Sequence, residues 1–109
     1  DNRNAEERIL PLARDLGMAV IINLPFGRGR LFAIARGREL PAFAKDYDTG
    51  SWAQFFLKYI LSHPAVTCAI PGTSRVAHLK DNLQSGIGRL PDSKTRRRMV
   101  EWQLVLTAL

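Results

Sequence analysis

Val66-Thr67-Cys68-Ala69-Ile70-Pro71-Gly72-Thr73-Ser74-Arg75 is a short strand followed by a turn rich in Pro, Gly and hydroxyl residues. The turn opens a helix predicted over about Val76 to Gln84. Upstream, His63-Pro64 ends a helix over Trp52 to Leu61 that Ser51 is placed to cap. Trp52, Phe55, Phe56, Tyr59 and Ile60 recur at helical spacing along it. Further upstream, Met18 to Asn23 is apolar without alternation, the pattern of a strand covered on both faces, as in parallel sheets. Before it, Asn4 to Leu16 reads as a helix, with Asn4 as N-cap, Glu6 and Glu7 in the first turn and Gly17 as the C′ residue. Ile9, Leu12, Ala13 and Leu16 share one face of that helix, and Pro11 should kink it or mark a late start.

The segments between and beyond complete the order. Leu24 to Gly29 is a loop, Arg30 to Arg38 a short helix, and Gly37 to Gly50 mostly loop. Gly86, Gly88 and Pro91 break the chain before Asp92 caps a last helix running to about Leu106. Helix, strand, helix, strand, helix, helix is an α/β order with parallel strands. Two strands alone make a poor domain, because their apolar faces need more sheet than this chain supplies.

The chain has 109 residues, 46% of them hydrophobic, which suffices for one small domain with a core. No apolar run approaches the ~20 residues of a membrane helix. The polar start Asp1-Asn2-Arg3-Asn4 shows no signal peptide, and a first residue other than Met points to a cut or trimmed chain. Cys68, alone and in an apolar run, is expected to be a buried, inert thiol, which fits a reducing, cytoplasmic setting. His63 and His78 have no cysteine partners in a zinc pattern. A net charge of +6 suits a nucleic acid, a membrane surface or a small polyanion, or simply a solvated face. The run Lys94-Thr95-Arg96-Arg97-Arg98 is expected to be such a face, since Met99, Trp102 and Leu106 give its helix an apolar side.

Two turns carry candidate chemistry. Pro25-Phe26-Gly27-Arg28-Gly29-Arg30 follows a strand, and its glycines and amides could hold a pyrophosphate. It is neither a Walker loop nor GxGxxG, so a plain surface turn is the simpler reading of the residues alone. Pro71 to Arg75 lies between a strand and a helix, where free N–H groups and the helix dipole favour a phosphate. His78, Asp81 and Asn82 fall on one face of that helix. Ordinary capping by Thr73 or Ser74 is the equal alternative.

Trp52 through Arg75, with its His-Pro-Ala-Val-Thr and Ile-Pro-Gly, and Asn4 through Gly29, with its Pro-Phe-Gly-Arg-Gly, together resemble the aldo/keto reductase family over roughly residues 3 to 89. The resemblance implies the C-terminal part of a TIM (β/α)8 barrel, about two βα units plus a terminal helix. Residues 1–109 would be the C-terminal segment of a single barrel domain, with 90–109 a terminal helical extension. It implies that Asn23, Leu24, Pro25, Phe26, Gly27 and Arg28 line the nicotinamide and pyrophosphate of NADP(H). Gly72, Thr73, Ser74, Arg75, His78, Asp81 and Asn82 would hold the adenosine and its 2′-phosphate. Asn23 stands where many members carry an aromatic that stacks on the nicotinamide. His78 stands where many carry Arg or Gln, which leaves more of the 2′-phosphate to Arg75. The family's catalytic Asp, Tyr, Lys and His belong to the first half of the barrel, so no catalytic residue is assigned, and neither Tyr47 nor Tyr59 takes that role. The implied whole is an NADPH-dependent enzyme reducing a small carbonyl substrate to an alcohol, with the remainder of the barrel or further copies of the chain as partner and neither membrane nor nucleic acid. A non-catalytic interaction fragment and a basic nucleic-acid module are the other classes; the latter lacks any RNP-like aromatic motif.

Overall fold

The computed structural model describes residues 3–108, so Asp1, Asn2 and Leu109 lie outside the described residues. The elements are α1 (Asn4–Glu7), α2 (Ile9–Asp15), β1 (Ile21–Asn23), α3 (Arg30–Ala35), a 3-10 helix (Ala42–Tyr47), α4 (Trp52–Leu61), β2 (Cys68–Ile70), α5 (Val76–Gln84) and α6 (Ser93–Ala108). β1 and β2 pair in parallel with Ile21 opposite Cys68 and Asn23 opposite Ile70, and α4 lies between them in the chain. This is the expected α/β order: two βα units followed by a terminal helix, the pattern of the C-terminal part of a TIM barrel.

The strands are shorter than Met18 to Asn23 and Val66 to Ile70. Pairing reaches only slightly past them: the Thr67 amide donates to the Val20 carbonyl at 2.9 Å and the Val20 amide to Thr67 Oγ1 at 2.9 Å. Burial on both faces is also overturned, because Ile21 and Ile70 are 59% and 56% exposed. Each strand has one neighbour among the described residues, so the faces and outer edges that a larger sheet would cover stay open. Cys68 is exposed for the same reason, not buried as expected.

The first helix is broken at Arg8 rather than continuous from Asn4 to Leu16. Pro11 lacks the N–H that would bond Glu7, so a second helix starts just ahead of it, as a late start requires. Arg3, not Asn4, is the N-cap residue of α1. Leu10 and Ala13 are buried on α2, whereas Ile9, Leu12 and Leu16 of the expected apolar face are exposed. Gly17, at φ +65°, ends α2 as foreseen: its amide bonds the Arg14 carbonyl and the Met18 amide that of Ala13. The loop before α4 contains the 3-10 helix, and α3 stops at Ala35.

The core lies among helices. Ala35, Ala44, Tyr47, Phe55, Phe56 and Met99 are buried together, joining α3, the 3-10 helix, α4 and α6. Lys58 of α4 is fully buried, and its Nζ donates to the carbonyls of Tyr47 (2.8 Å), Ile87 (2.8 Å) and Arg89 (2.9 Å). Three ammonium protons meet three acceptors, which is why a charge is tolerated there. Asp92 caps α6 by accepting from the Thr95 amide at 2.7 Å. The basic run on α6 is not uniformly solvated. Arg96 turns inward, stacks 4.1 Å over the Tyr59 ring, and donates to Ser62 Oγ (2.7 Å), the Tyr59 carbonyl and Glu6 Oε2 (3.4 Å). Spacing alone could not say which residue of the run would face α4.

Candidate functional site

Parallel pairing puts the C-terminal ends of β1 and β2 side by side, with Asn23 opposite Ile70. The loops starting at Leu24 and Pro71 therefore leave the sheet at the same edge. In parallel α/β sheets this is the edge where ligands bind.

The loop after β1 is a series of tight turns. Leu24, Gly27, Arg28 and Gly29 all have positive φ. The amides of Gly27, Gly29 and Arg30 donate to the carbonyls of Leu24, Phe26 and Gly27. These three amides hold the loop's own shape and are not left open as the cradle the sequence offered, while the Arg28 side chain is exposed. Pro25 is buried and Phe26 half-buried, its ring 4.7 Å from that of Phe32. Asn23 and Leu24 are exposed.

The loop after β2 is open. Gly72, Thr73, Ser74 and Arg75 are all exposed, and a Cβ at Gly72 would meet nothing within 4 Å. Arg75 is the N-cap residue of α5 and makes no side-chain cap bond. Neither Thr73 nor Ser74 caps the helix; Thr73 Oγ1 accepts from the Arg75 amide at 3.2 Å within the turn. The hydroxyls, the Arg75 guanidinium and the exposed His78 thus edge the first turn of α5. Donors of this kind at a helix start suit a phosphate chemically.

Asp81 and Asn82 face inward instead. Asp81 accepts from Ser51 Oγ at 2.9 and 2.8 Å through its two oxygens, and from Gln54 Nε2 at 2.7 Å. Asn82 is buried and donates from Nδ2 to the Pro71 carbonyl at 3.4 Å.

A cavity of about 330 Å3 lies between α1, α4, α6 and the loop after β1, lined in part by Asn23, Leu24, Pro25 and Gly27. No residue of the 72–82 group lines it, so the two expected halves share a sheet edge but not a cavity. Its polar side includes groups the sequence reading missed. Tyr59 Oη donates to Glu6 Oε1 at 2.6 Å, and burial, then Glu6, pushes the Tyr59 hydroxyl up to about 12. Burial and the nearby Arg96 lower His63. Lys58, the lone charge within Phe55-Phe56-Leu57-Lys58-Tyr59-Ile60, signals a different buried polar centre, at the Tyr47, Ile87 and Arg89 carbonyls, and does not line this cavity. Among the described residues, no group of three or more His, Cys, Asp or Glu could hold a metal, and no helix is long and apolar enough to cross a membrane.

The backbone resembles that of an aldo-keto reductase of Bacillus halodurans in its apo form, with a TM-score of 0.65 and 21% identity, over 92% of this chain and 39% of that one. An uncharacterized oxidoreductase of Schizosaccharomyces pombe is 36% identical over 80 residues, 72% of this chain. The chain spans only 25% of that protein's length. Residues 2–98 match the aldo/keto reductase family. With that match running over both turns and a barrel-like βα arrangement beneath it, the chain belongs to the aldo/keto reductase family.

Proposed function

We propose that residues 1–109 are the C-terminal segment of a single aldo/keto reductase barrel, with 90–109 as its terminal helical extension, and that they grip NADP(H) in an enzyme that reduces a carbonyl to an alcohol. The observation that carries this reading is the parallel register, which brings the loops after Asn23 and Ile70 to one sheet edge. The residues there fit the cofactor: an open Gly72, two hydroxyls and an unencumbered helix start at Arg75 suit a phosphate, and Arg28 adds charge on the neighbouring loop. Bound nicotinamide would supply hydride chemistry. Arg75, Thr73 and Ser74 would hold the 2′-phosphate and so favour NADPH over NADH. Asn23 to Arg28 would orient the nicotinamide end, with the exposed Asn23 offering an amide rather than a ring. The proton donor would come from elsewhere in the barrel, since Tyr59 is tied to Glu6 and Tyr47 is buried in the helical core.

A small carbonyl is the proposed substrate and the cytoplasm the proposed setting. The test is NADPH binding and NADPH-dependent aldehyde reduction by the intact protein. Saturable binding with turnover supports the reading, and a folded protein with neither overturns it. A second reading, a non-catalytic fragment that docks on further barrel strands or on copies of itself, is favoured by the open faces at Ile21 and Ile70. Binding of a partner chain without any NADPH affinity would support that alternative.

A further inference from the structure

The resemblance assigns Asp81 to the adenosine, but both its carboxylate oxygens are engaged inside the protein. Ser51 Oγ lies 2.9 and 2.8 Å from them, and Gln54 Nε2 lies 2.7 Å from Oδ1. The donors are themselves held. Ser51 Oγ accepts from the Gln54 amide at 3.1 Å, and Gln54 Oε1 accepts from the Gly50 amide at 2.8 Å. Gln54 is buried, 9% exposed, on the first turn of α4. One carboxylate therefore joins the start of α4 to the middle of α5. The next residue, Asn82, ties α5 to the Pro71 carbonyl at the end of β2. Two adjacent side chains thus fix α5 against two different elements, which restrains both its tilt and its rotation. Arg75 and His78, exposed on the first turn of α5, inherit whatever pose these bonds impose.

We infer that Ser51, Gln54 and Asp81 form a positioning cluster that sets the phosphate-facing edge of α5, and that Asp81 is not itself an adenosine contact. The inference rests on the reading of that edge as the 2′-phosphate site. It predicts that Ser51, which belongs to the α4 cap and not to the exposed edge, controls discrimination for the 2′-phosphate.

The probes are 2′,5′-ADP and 5′-ADP, titrated calorimetrically into the intact protein and into Ser51→Ala, Asp81→Asn and the double variant. Ser51→Ala and Asp81→Asn are each expected to lower the 2′,5′-ADP over 5′-ADP preference about fivefold, since only part of the lost hydroxyl–carboxylate bond is transmitted to the distant edge of α5. The double variant should lose no more than the worse single one, because the residues act through one contact, and Ser51→Thr should restore the preference. Asp92→Ala, which removes the α6 cap, should lower stability without changing the preference, separating loss of pose from loss of fold. A silent Ser51→Ala, or additive losses in the double variant, would overturn the cluster and return Asp81 to direct contact. If the unaltered protein binds neither probe, the cofactor reading fails. The cluster is then decided by hydrogen exchange of the α5 amides: equal, non-additive loss of protection in the three variants supports it, and unchanged protection overturns it.

Discussion

Replacing Lys58 by Met is expected to destabilise the helical core strongly, although little volume is lost. Met keeps the unbranched stem and much of its volume, so little cavity forms. What is lost is the ammonium that accepts no substitute: its three protons reach the Tyr47, Ile87 and Arg89 carbonyls at 2.8, 2.8 and 2.9 Å. Hydrogen bonds to a charged group are each worth about 1.5–3 kcal/mol. Two reductions apply. Ile87 and Arg89 are exposed residues, so water can reach their carbonyls once Nζ is gone. Removing the lysine also relieves the desolvation of a buried charge, the burial that lowers its pKa. The net loss is then about 3 kcal/mol, mostly from the Tyr47 carbonyl, whose bond is the fully buried one of the three. For a domain near 100 residues, such a loss lowers Tm by roughly 12–24 °C. Urea unfolding followed by the fluorescence of Trp52 and Trp102 measures it. Lys58→Arg should also be destabilised, since a planar guanidinium cannot meet three carbonyls arranged for a compact ammonium. A Lys58→Met midpoint matching the unaltered chain would refute the clamp.

Other outcomes follow from single contacts. The Arg89 side chain and backbone amide hold the Asp48 carboxyl at about 2, below its ordinary 3.8, so its stabilising contribution is complete above pH ~4 and is lost as pH falls toward ~2; acid titration of Tm should show this loss, and Asp48→Asn should remove it. Gly88→Ala should be destabilising, because at φ +77° its Cβ would lie 2.7 Å from Asp48 Oδ2; an unchanged urea midpoint would show that Asp48 can move aside. Exposed Cys68 should react with iodoacetamide in the native 109-residue chain nearly as fast as in denaturant, whereas strong protection would mean the strand face is covered. The same chain should oxidise no NADPH with 4-nitrobenzaldehyde, and turnover from material of verified mass would force a search for a proton donor among Tyr47, Tyr59 and His78.

Local patterns were the most legible part of this chain. Ser51 ahead of Trp52 and His63-Pro64 after Leu61 mark α4 to the residue, and Ser51 does accept from the Gln54 amide. Two apolar runs joined by a long helical crossover required parallel strands, and β1 and β2 are parallel. Their lengths and burial were not legible, because those depend on neighbouring strands. Ile21 and Ile70 carry the residue types of a covered strand without the cover. Long-range polar contacts were equally silent. Asp81 and Asn82 share a helical face with His78 on paper, but the partners that pull Asp81 inward lie 27 and 30 residues away. Arg96 looked like its neighbours Arg97 and Arg98 until the approach of Tyr59 and Glu6 singled it out. In the candidate site, the sheet edge and the exposed Thr73-Ser74-Arg75 turn were readable from the strand–turn–helix pattern; the inward role of Asp81 was not.

In the proposed function the start of α5 holds the 2′-phosphate of NADPH, and Arg75 is the residue on which that discrimination turns. The measurement is the ratio of NADPH to NADH affinity, by fluorescence titration, in the intact protein and its Arg75→Ala variant. A clear NADPH preference is expected that falls by about 1.5–3 kcal/mol in the variant, the worth of a guanidinium–phosphate bond, with NADH affinity nearly unchanged. Equal losses for both cofactors, or no preference in the unaltered protein, would contradict it.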